Sequence, residues 1–327
     1  MRQCLRKVAV AACFGCFTFA AMGQGLPARE FPAKPVHVVL SFQAGGTADI
    51  LIRVLADPLS ERWKQPVVVD YRPGAGAIIA AEAVARAPAD GHTLLVVGAT
   101  FITNPLLRTK VPYDVFKDFA PVTLLAQSPM VLVVNATSPV KNLRELLEEA
   151  RAHPGALSYA TNGNGSTPHL IGQMLRIEAG IDWIHVPYPG GAPAVNALMG
   201  NHVSAVIVNY SEVAAQLAAG KLRAIAVVSP ERFDRLPDVP TLSESGFKDV
   251  HAVISFGIVA PAGTPKETID RLQADFVAVL ALPAVRDKLL AQGLYPVGST
   301  PEEFGAYMRT ASARFAKVIA TAGIRAD

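Results

Sequence analysis

The sequence predicts an α/β protein of two domains with a ligand cleft between them. Short β-type runs alternate with helical patterns along most of the chain, and glycine-rich turns separate several of these runs from the helix that follows. Alternation of this kind implies parallel strands with right-handed crossovers and ligands at the carboxyl ends of the strands. The 327 residues also exceed the usual size of a single hydrophobic core.

The N-terminus has the order of a secretory signal peptide. Arg2, Arg6 and Lys7 precede an apolar run at residues 8–22 that ends in small residues, so we place the leader at residues 1–24. A lipoprotein cleavage box ending at Cys13 fits less well, because it leaves too short an apolar stretch. The mature protein is therefore expected outside the cytoplasm, and no later segment reads as a transmembrane helix.

Cysteine usage and charge exclude several classes of function. All 3 cysteines, Cys4, Cys13 and Cys16, lie in the leader, which excludes a disulfide framework, a thiolate nucleophile and a Cys-based metal site in the mature chain. Three of the 30 lysines and arginines also lie there, and the remainder equals the 27 aspartates and glutamates. A neutral chain without a basic stripe predicts no nucleic-acid partner.

The first domain starts as strands and helices in alternation. Short apolar runs predict buried strands, and the longer patterns between them predict helices. Residues 25–125 form the first part of this domain. Its predicted elements are a strand at 36–42, a helix at 48–63, a strand at 67–70, a helix at 77–86 and a strand at 93–97.

The second domain is predicted at residues 126–249. Residues 122–135 carry two apolar stretches broken at 127–129, which we interpret as the crossing between domains. A proline-rich bend at 236–240 and a strand at 254–260 mark the return, so residues 250–327 complete domain one. Between the two crossings we predict helices at 143–152, 168–180 and 192–199, and strands at 157–161, 185–188, 203–209 and 222–228.

Two helices near the C-terminus carry start signals. Thr264 and Thr300 are each followed by a proline and, three residues after the threonine, by a glutamate. This order predicts an N-cap, a proline at the first helical position and a capping box. We expect both helices to pack on domain one.

Three glycine-rich turns, at residues 43–49, 161–167 and 188–192, each follow a β-type run and precede a helical pattern. Such turns expose backbone N–H groups at a helix start, where partial positive charge attracts an anion without lysine or arginine. The predicted ligand is a small carboxylate.

Signatures of catalysis and cofactor binding are missing from the sequence. It contains no GxSxG, HExxH or complete phosphate-loop motif, and its GxG turns lack the third glycine of a dinucleotide site. No two of the 7 histidines have the spacing of a helical metal site. We therefore predict no catalytic residues, no metal and no cofactor.

Two residues of the turns have two interpretations each. His169 lies in the first turn of a helix, where it either contacts the ligand or holds the turn. Asp49 either pairs with helix N–H groups and orients its loop or meets a donor group of the ligand, since a carboxylate repels an anion. Glycines 45 and 46 fit a tight turn as well as an anion site.

The motifs taken together resemble those of the Bug-type extracytoplasmic solute receptors, the substrate-binding proteins of tripartite tricarboxylate transporters. The resemblance covers essentially the whole mature chain in the right order. It is carried by FQAGGTADI (42–50), RPGAG (72–76), ADGHTLL (89–95), GNGS (163–166), HL (169–170), HVPY (185–188), GKLRA (220–224) and LPDVPT (236–241).

The resemblance implies a periplasmic-binding-protein-like fold, a periplasmic location and two domains that close on one small carboxylate. It also implies integral membrane transporter subunits as partners, and we expect a monomer. By position it assigns the ligand to backbone groups and side chains of Phe42, Ala44, Gly45, Gly46, Thr47, Asp49, Thr100, Asn164, Ser166, Thr167, His169, Gly190, Gly191, Ala192 and Asn209.

One departure from the family pattern bears on the ligand. Pro189 stands where lysine is common in the family, which removes a cation beside the Gly190-Gly191 turn. This favours a monocarboxylate, or an aromatic or amide-bearing acid, over a tricarboxylate. Two other functions stay open: a ligand-binding sensor for a membrane signalling kinase, and a hydrolase or lyase acting on carboxylated substrates.

Overall fold

One long strand organises the sheet of this protein. The computed structural model describes residues 31–324; the predicted leader at 1–24 lies outside them. The strands of the described chain are β1 (Val36–Leu40), β2 (Val67–Tyr71), β3 (Thr93–Val97), β4 (Phe119–Asn135), β5 (Ser158–Thr161), β6 (Ile184–Pro187), β7 (Ala205–Asn209), β8 (Leu222–Val227), β9 (Val253–Pro261) and β10 (Tyr295–Pro296).

Helices follow most of these strands. A 3₁₀ turn at Ala75–Ala77 precedes α2. The α-helices of the described chain are α1 (Thr47–Trp63), α2 (Ile78–Ala85), α3 (Ala99–Leu107), α4 (Leu143–Ala152), α5 (Thr167–Ala179), α6 (Gly191–Met199), α7 (Tyr210–Ala218), α8 (Lys266–Leu280), α9 (Pro283–Ala291) and α10 (Pro301–Ala322).

The strand order is β2-β1-β3-β9-β4-β7-β5-β6, and β8 and β10 each pair with β4. Strand β1 is parallel to β2 and β3, and β5 is parallel to β6 and β7. Strands β4 and β9 run antiparallel to their neighbours. The predicted α/β fold is confirmed, but the sheet is mixed because the two central strands reverse direction.

Strand β4 changes partner along its length. Residues 119–129 lie in register with β9, whereas residues from Met130 onwards pair with β7 and β8. The break that we predicted at 127–129 does not interrupt the strand. Proline has no N–H to donate, and Pro129 stands at the point where the partners change. The division into two domains stays a prediction.

Buried apolar side chains cluster on both sides of this change. We call β1, β2, β3, β9, β10 and residues 119–129 the first half of the sheet, and the remaining strands with residues 130–135 the second half. One cluster includes Leu95, Leu124 and Phe304, and another includes Val133 and Leu198. Strand β4 thus contributes to both cores.

Helix α8 is fastened to α1 by a buried carboxylate. Trp63 Nε1 and Arg271 Nε donate to Asp275 Oδ2 over 2.8 and 2.7 Å, and Arg62 pairs with the other oxygen. Burial acts to raise the pKa of Asp275, but these hydrogen bonds outweigh it and hold the pKa below its usual range. The C-terminal part of the chain is thereby tied to its beginning.

The two predicted helix starts differ in outcome. At α10 the capping box is confirmed, because Thr300 accepts from the Glu303 N–H and the Glu303 side chain reaches back to the Thr300 N–H. The prediction at Thr264 is wrong, since α8 begins at Lys266 with Pro265 as its N-cap. The Thr264 hydroxyl donates instead to the Pro261 carbonyl over 2.8 Å.

Helices α3, α7 and α9 and strand β10 were not predicted. Helix α3 contains Pro105, and a proline inside a pattern argues against a helix from sequence alone. Helix α7 is only 9 residues long and follows β7 without a connecting loop. The sequence signal for it is Asn209 followed three positions later by Glu212, the order of an N-cap and its partner.

We expect Gly257→Ala to destabilise the protein. A Cβ at Gly257, in β9, would lie 2.1–2.7 Å from ring atoms of Phe304 in α10, so the ring must move. Overpacking of this kind costs about 1–3 kcal/mol, which urea unfolding would measure. The matched control is Gly305→Ala, one residue along α10, where the new Cβ has ordinary contacts of at least 3.5 Å. An unchanged unfolding free energy for Gly257→Ala would contradict this packing.

Candidate functional site

The first glycine loop connects β1 to α1 and is held by Asp49. One carboxylate oxygen of Asp49 accepts from the Gly45 N–H over 2.8 Å, and the other accepts from Arg53 Nε at 2.8 Å and from the Tyr71 hydroxyl at 2.6 Å. Burial acts to raise the pKa of Asp49, but these hydrogen bonds lower it overall. The ionised carboxylate therefore orients the loop, and Gly45 adopts the positive φ of +87° that the turn requires.

The second loop, between β5 and α5, is closed by its own side chains. The Ser166 hydroxyl donates to the Gly163 carbonyl over 2.6 Å and caps α5 by accepting from the His169 N–H. His169 Nδ1 accepts from the Gly165 N–H over 3.1 Å. The His169 ring stacks on His185 with centroids 4.0 Å apart. Within the described chain, His169 thus holds the turn.

Both stacked histidines are neutral at physiological pH. Burial lowers the pKa of His169 to about 4. Burial, together with the neighbouring His169, lowers the pKa of His185 to about 3. The pair therefore brings no positive charge to an anionic ligand.

The third loop connects β6 to α6 and ends in two glycines. Gly190 has a φ of +146°, which side-chain-bearing residues rarely adopt, and Gly191 is the first residue of α6. Neither can be exchanged freely for a larger residue.

Three helices start beside one cavity, and none of them is capped by the side chain of its own N-cap residue. The N-caps are Gly46 for α1, Gly190 for α6 and Asn209 for α7. The first N–H groups of a helix have no partner inside the helix and carry partial positive charge. The cavity has a volume of about 30 Å³ and is lined by Phe42, Gln43, Ala44, Gly46, Thr47, Ala48, Asn162, Gly190, Gly191, Ala192, Pro193, Asn209, Glu212 and Phe256.

Thr47 joins the first loop to the start of α7. Its hydroxyl accepts from Asn209 Nδ2 over 2.7 Å and lies 2.8 Å from the Ser211 hydroxyl. Its N–H donates to Glu212 Oε1 over 3.3 Å. These contacts connect residues more than 160 positions apart and hold the first and second halves of the sheet together at the cavity.

The carboxyl group of Glu212 lies between the starts of α1 and α6. A Cβ on Gly46 would be 3.6 Å from Oε1, and a Cβ on Gly191 would be only 2.0–2.3 Å from the carboxyl atoms. The carboxyl is buried, although the residue as a whole keeps partial exposure. Burial raises its pKa to about 7 against the opposing hydrogen bonds of Thr47 and Asn209.

Of the residues predicted to bind ligand, the structure brings Phe42, Ala44, Gly46, Thr47, Gly190, Gly191, Ala192 and Asn209 to this cavity. Gly45 lies beside it, 3.9 Å from the Ala192 Cβ when a Cβ is built on it, and Asp49 faces its own loop. Ser166 and His169 hold the second turn. That any of these residues binds the ligand stays a prediction.

Three predicted residues lie elsewhere. Thr100 is buried in α3, and Asn164 is exposed at the tip of the second loop. Thr167 lines a neighbouring cavity of about 20 Å³ with residues of α3 and α10. The residue of the second loop that reaches the candidate site is Asn162 instead.

Sequence reasoning missed Glu212 as well as Asn162 and Phe256. The Asn-x-x-Glu order at residues 209–212 could have indicated α7 and the position of Glu212 at its start. Nothing local to residue 256 points to the cavity, because β9 arrives there from the return segment of the chain.

Within residues 31–324, no cluster of three histidine, cysteine, aspartate or glutamate side chains is arranged to hold a metal ion. None of the helices described there is both long and apolar enough to cross a bilayer.

The architecture is that of a periplasmic binding protein. The structure superposes on the periplasmic binding protein BugD with a TM-score of 0.86 and 34% identity, over 90% of this chain and 99% of BugD. For Rpa4515 of R. palustris with adipate, the TM-score is 0.88 and the identity 34%, over 90% of this chain and 99% of Rpa4515. For MatC of Rhodopseudomonas palustris with bound malate, the TM-score is 0.83 and the identity 30%, over 88% of this chain and 100% of MatC.

The sequence comparison gives the family. Residues 51–324 match the family model described as the tripartite tricarboxylate transporter family receptor, TctC. Protein BugT of Bordetella pertussis is 34% identical over 308 residues, which cover 94% of each chain. The chain belongs to the TctC family of solute receptors. The resemblance seen in the sequence is confirmed.

We expect Glu212→Gln to be more stable than the wild type in a pH-dependent way. Because the pKa is raised to about 7, ionisation costs the native state more than the unfolded chain. Stability from this site is therefore fully present below the ordinary glutamate pKa of 4.5 and is lost as pH rises from there through 7. The gain should be about 2–3 kcal/mol at pH 8 and less than about 1 kcal/mol at pH 5.

Urea unfolding at both pH values would measure this difference. Glu61→Gln is the matched control, because it makes the same substitution at an exposed position of α1 outside the cavity. A gain for Glu212→Gln that is the same at pH 5 and pH 8 would show that the carboxyl does not titrate between them.

Proposed function

We propose that this protein is a periplasmic receptor that binds one small carboxylate at the cavity and delivers it to a tripartite membrane transporter. The observation that supports this most directly is the meeting of three helix starts, those of α1, α6 and α7, none of which is capped by the side chain of its own N-cap residue. The N–H groups and dipoles of helix starts favour an anion there. Binding needs no cation from the protein.

The family relatives support the same ligand class. Rpa4515 was solved with adipate and MatC with malate, and both ligands are small carboxylates. Pro189 removes a side-chain cation from the third loop, so the proposed recognition rests on backbone groups at one carboxylate.

The proposed mechanism is binding without chemical conversion. The solute enters between the two halves, its carboxylate accepts hydrogen bonds from loop N–H groups, and closure of the halves forms the surface that the membrane partner recognises. Thr47 suits this role, because its contacts with Asn209 and Ser211 form only when the first loop meets α7. Two domains and a monomeric receptor are part of the proposal.

A binding screen tests the proposal. We would denature and refold the mature protein to remove carried ligand, and then record thermal unfolding with small carboxylates, each paired with its amide. Saturation at about 100 times Kd adds about 2.7 kcal/mol to the unfolding free energy, a shift of several degrees. A shift with an acid but not with its amide is the expected result. No shift with any acid would contradict the proposal and direct the work to turnover assays.

We expect Gly190→Asp to abolish carboxylate binding. The substitution places a negative side chain at the start of α6 beside the cavity, where repulsion at close range should weaken binding by about 100-fold or more. Calorimetry would measure the affinity. Gly246→Asp is the matched control: it adds the same charge at an exposed glycine of positive φ, +102°, with nothing within 4 Å of a new Cβ. Unchanged affinity for Gly190→Asp would remove this loop from the site.

A further inference from the structure

Two buried oxygen atoms at the cavity have no hydrogen-bond partner in the described chain. They are Oε2 of Glu212 and Oδ1 of Asn209, and both residues line the cavity. Leaving such an atom unpaired destabilises the folded state, so each case requires an explanation. A carboxylate oxygen and an amide oxygen are both acceptors. The cavity therefore offers acceptors in addition to the N–H donors of the helix starts.

Thr47 holds both side chains in place. Its N–H binds Glu212 Oε1, which leaves Oε2 as the unpaired atom of the carboxyl. Its hydroxyl accepts from Asn209 Nδ2, which leaves Oδ1 as the unpaired atom of the amide. The Asn209 side chain does not cap α7. The fold therefore positions both oxygens, and neither has a hydrogen-bond partner in the described chain.

No described side chain neutralises the Glu212 carboxyl. Among the residues that line the cavity, Glu212 is the titratable one. On α1, Arg53 is engaged by Asp49 and Tyr71. On β8, Arg223 donates to backbone carbonyls of residues 136 and 140. Strands β4 and β7 and helix α6 carry no titratable side chain.

A solute that is only a carboxylate fits this part of the cavity poorly. The oxygens of a carboxylate are hydrogen-bond acceptors, and they cannot pair with the acceptor oxygens of Glu212 and Asn209. The negative charge of the solute also repels an ionised Glu212. A protonated amine brings several N–H donors and a positive charge, and charge-assisted hydrogen bonds to a buried carboxylate are strong.

We propose that the solute carries a protonated amine close to its carboxylate, and that Glu212 binds this amine together with the Asn209 amide oxygen. The inference rests on the proposed function, since the solute carboxylate is taken to occupy the N–H groups of the loops. Glu212 is then the residue that selects an amino acid or related amine-bearing acid from other small carboxylates.

The pairing makes the selection depend on pH. Glu212 must be ionised to bind the amine, and burial raises its pKa to about 7 in the protein. Between pH 6 and pH 8 the affinity for an amine-bearing acid should therefore rise, while the affinity for an acid without the amine should fall. The ionised Asp49, whose pKa is lowered, and the neutral His169 and His185 do not titrate in this range.

Calorimetry with matched pairs of solutes tests the inference. We would compare alanine with propionate and glutamate with glutarate on the refolded mature protein at pH 8. In at least one pair the amine-bearing member should bind about 10- to 100-fold more tightly. Glu212→Gln keeps the shape of the side chain and should remove most of this preference while still binding the amine-free acid. Glu61→Gln should preserve the preference.

The outcomes separate the two proposals. If every pair that binds shows equal affinity for its two members, or tighter binding of the amine-free acid, the inference is overturned and the carboxylate receptor is left intact. A preference that survives Glu212→Gln overturns the role of Glu212. If no acid of the thermal-unfolding screen binds, with or without an amine, the proposed receptor function fails, and this inference fails with it.

Discussion

The continuity of β4 is the constraint on which the rest of the structure depends. A single strand pairs with β9 along residues 119–129 and with β7 and β8 from Met130 onwards, so both halves of the sheet are built on one backbone. Its side chains enter both apolar clusters. Strand β9 returns beside it, with Val253 in register with Pro129. The chain therefore passes from one half to the other along β4 and again before β9, at points that are neighbours in the sheet. The helix starts that form the cavity come from both halves.

The cavity combines two kinds of electrostatics. Helix starts supply partial positive charge from backbone groups, and these groups need no solvation by long cationic side chains. Glu212 supplies the opposite sign within the same small volume. Burial outweighs the hydrogen bonds of Thr47 and Asn209 at this carboxyl, as its raised pKa indicates. A ligand with separated charges of both signs satisfies this arrangement better than a ligand with one.

Local signals in the sequence predicted what depends on local physics. The short apolar run at 93–97 predicted β3 with its observed bounds, and the threonine and glutamate at the start of α10 form the predicted capping box. Eight of the residues assigned by family resemblance line the cavity. Glu212 was not found, because its burial depends on Gly191 and Thr47, which are distant in sequence. Asn164 was chosen over Asn162 because sequence does not show which side of a loop faces inwards. Sequence also does not show that the Thr264 hydroxyl donates to a backbone carbonyl instead of accepting from a helix N–H.

A site made from helix starts also affects how such a receptor can diverge. Every residue except proline provides a backbone N–H, so most substitutions around the glycine loops alter the side chains and leave the anion-binding groups in place. In the proposed binding mode, a duplicated gene can then acquire a new solute by changing one or two side chains that line the cavity, such as residue 212, without rebuilding the site. The positions that tolerate little change are a few glycines of the loops, because their replacement would disturb the loop conformation.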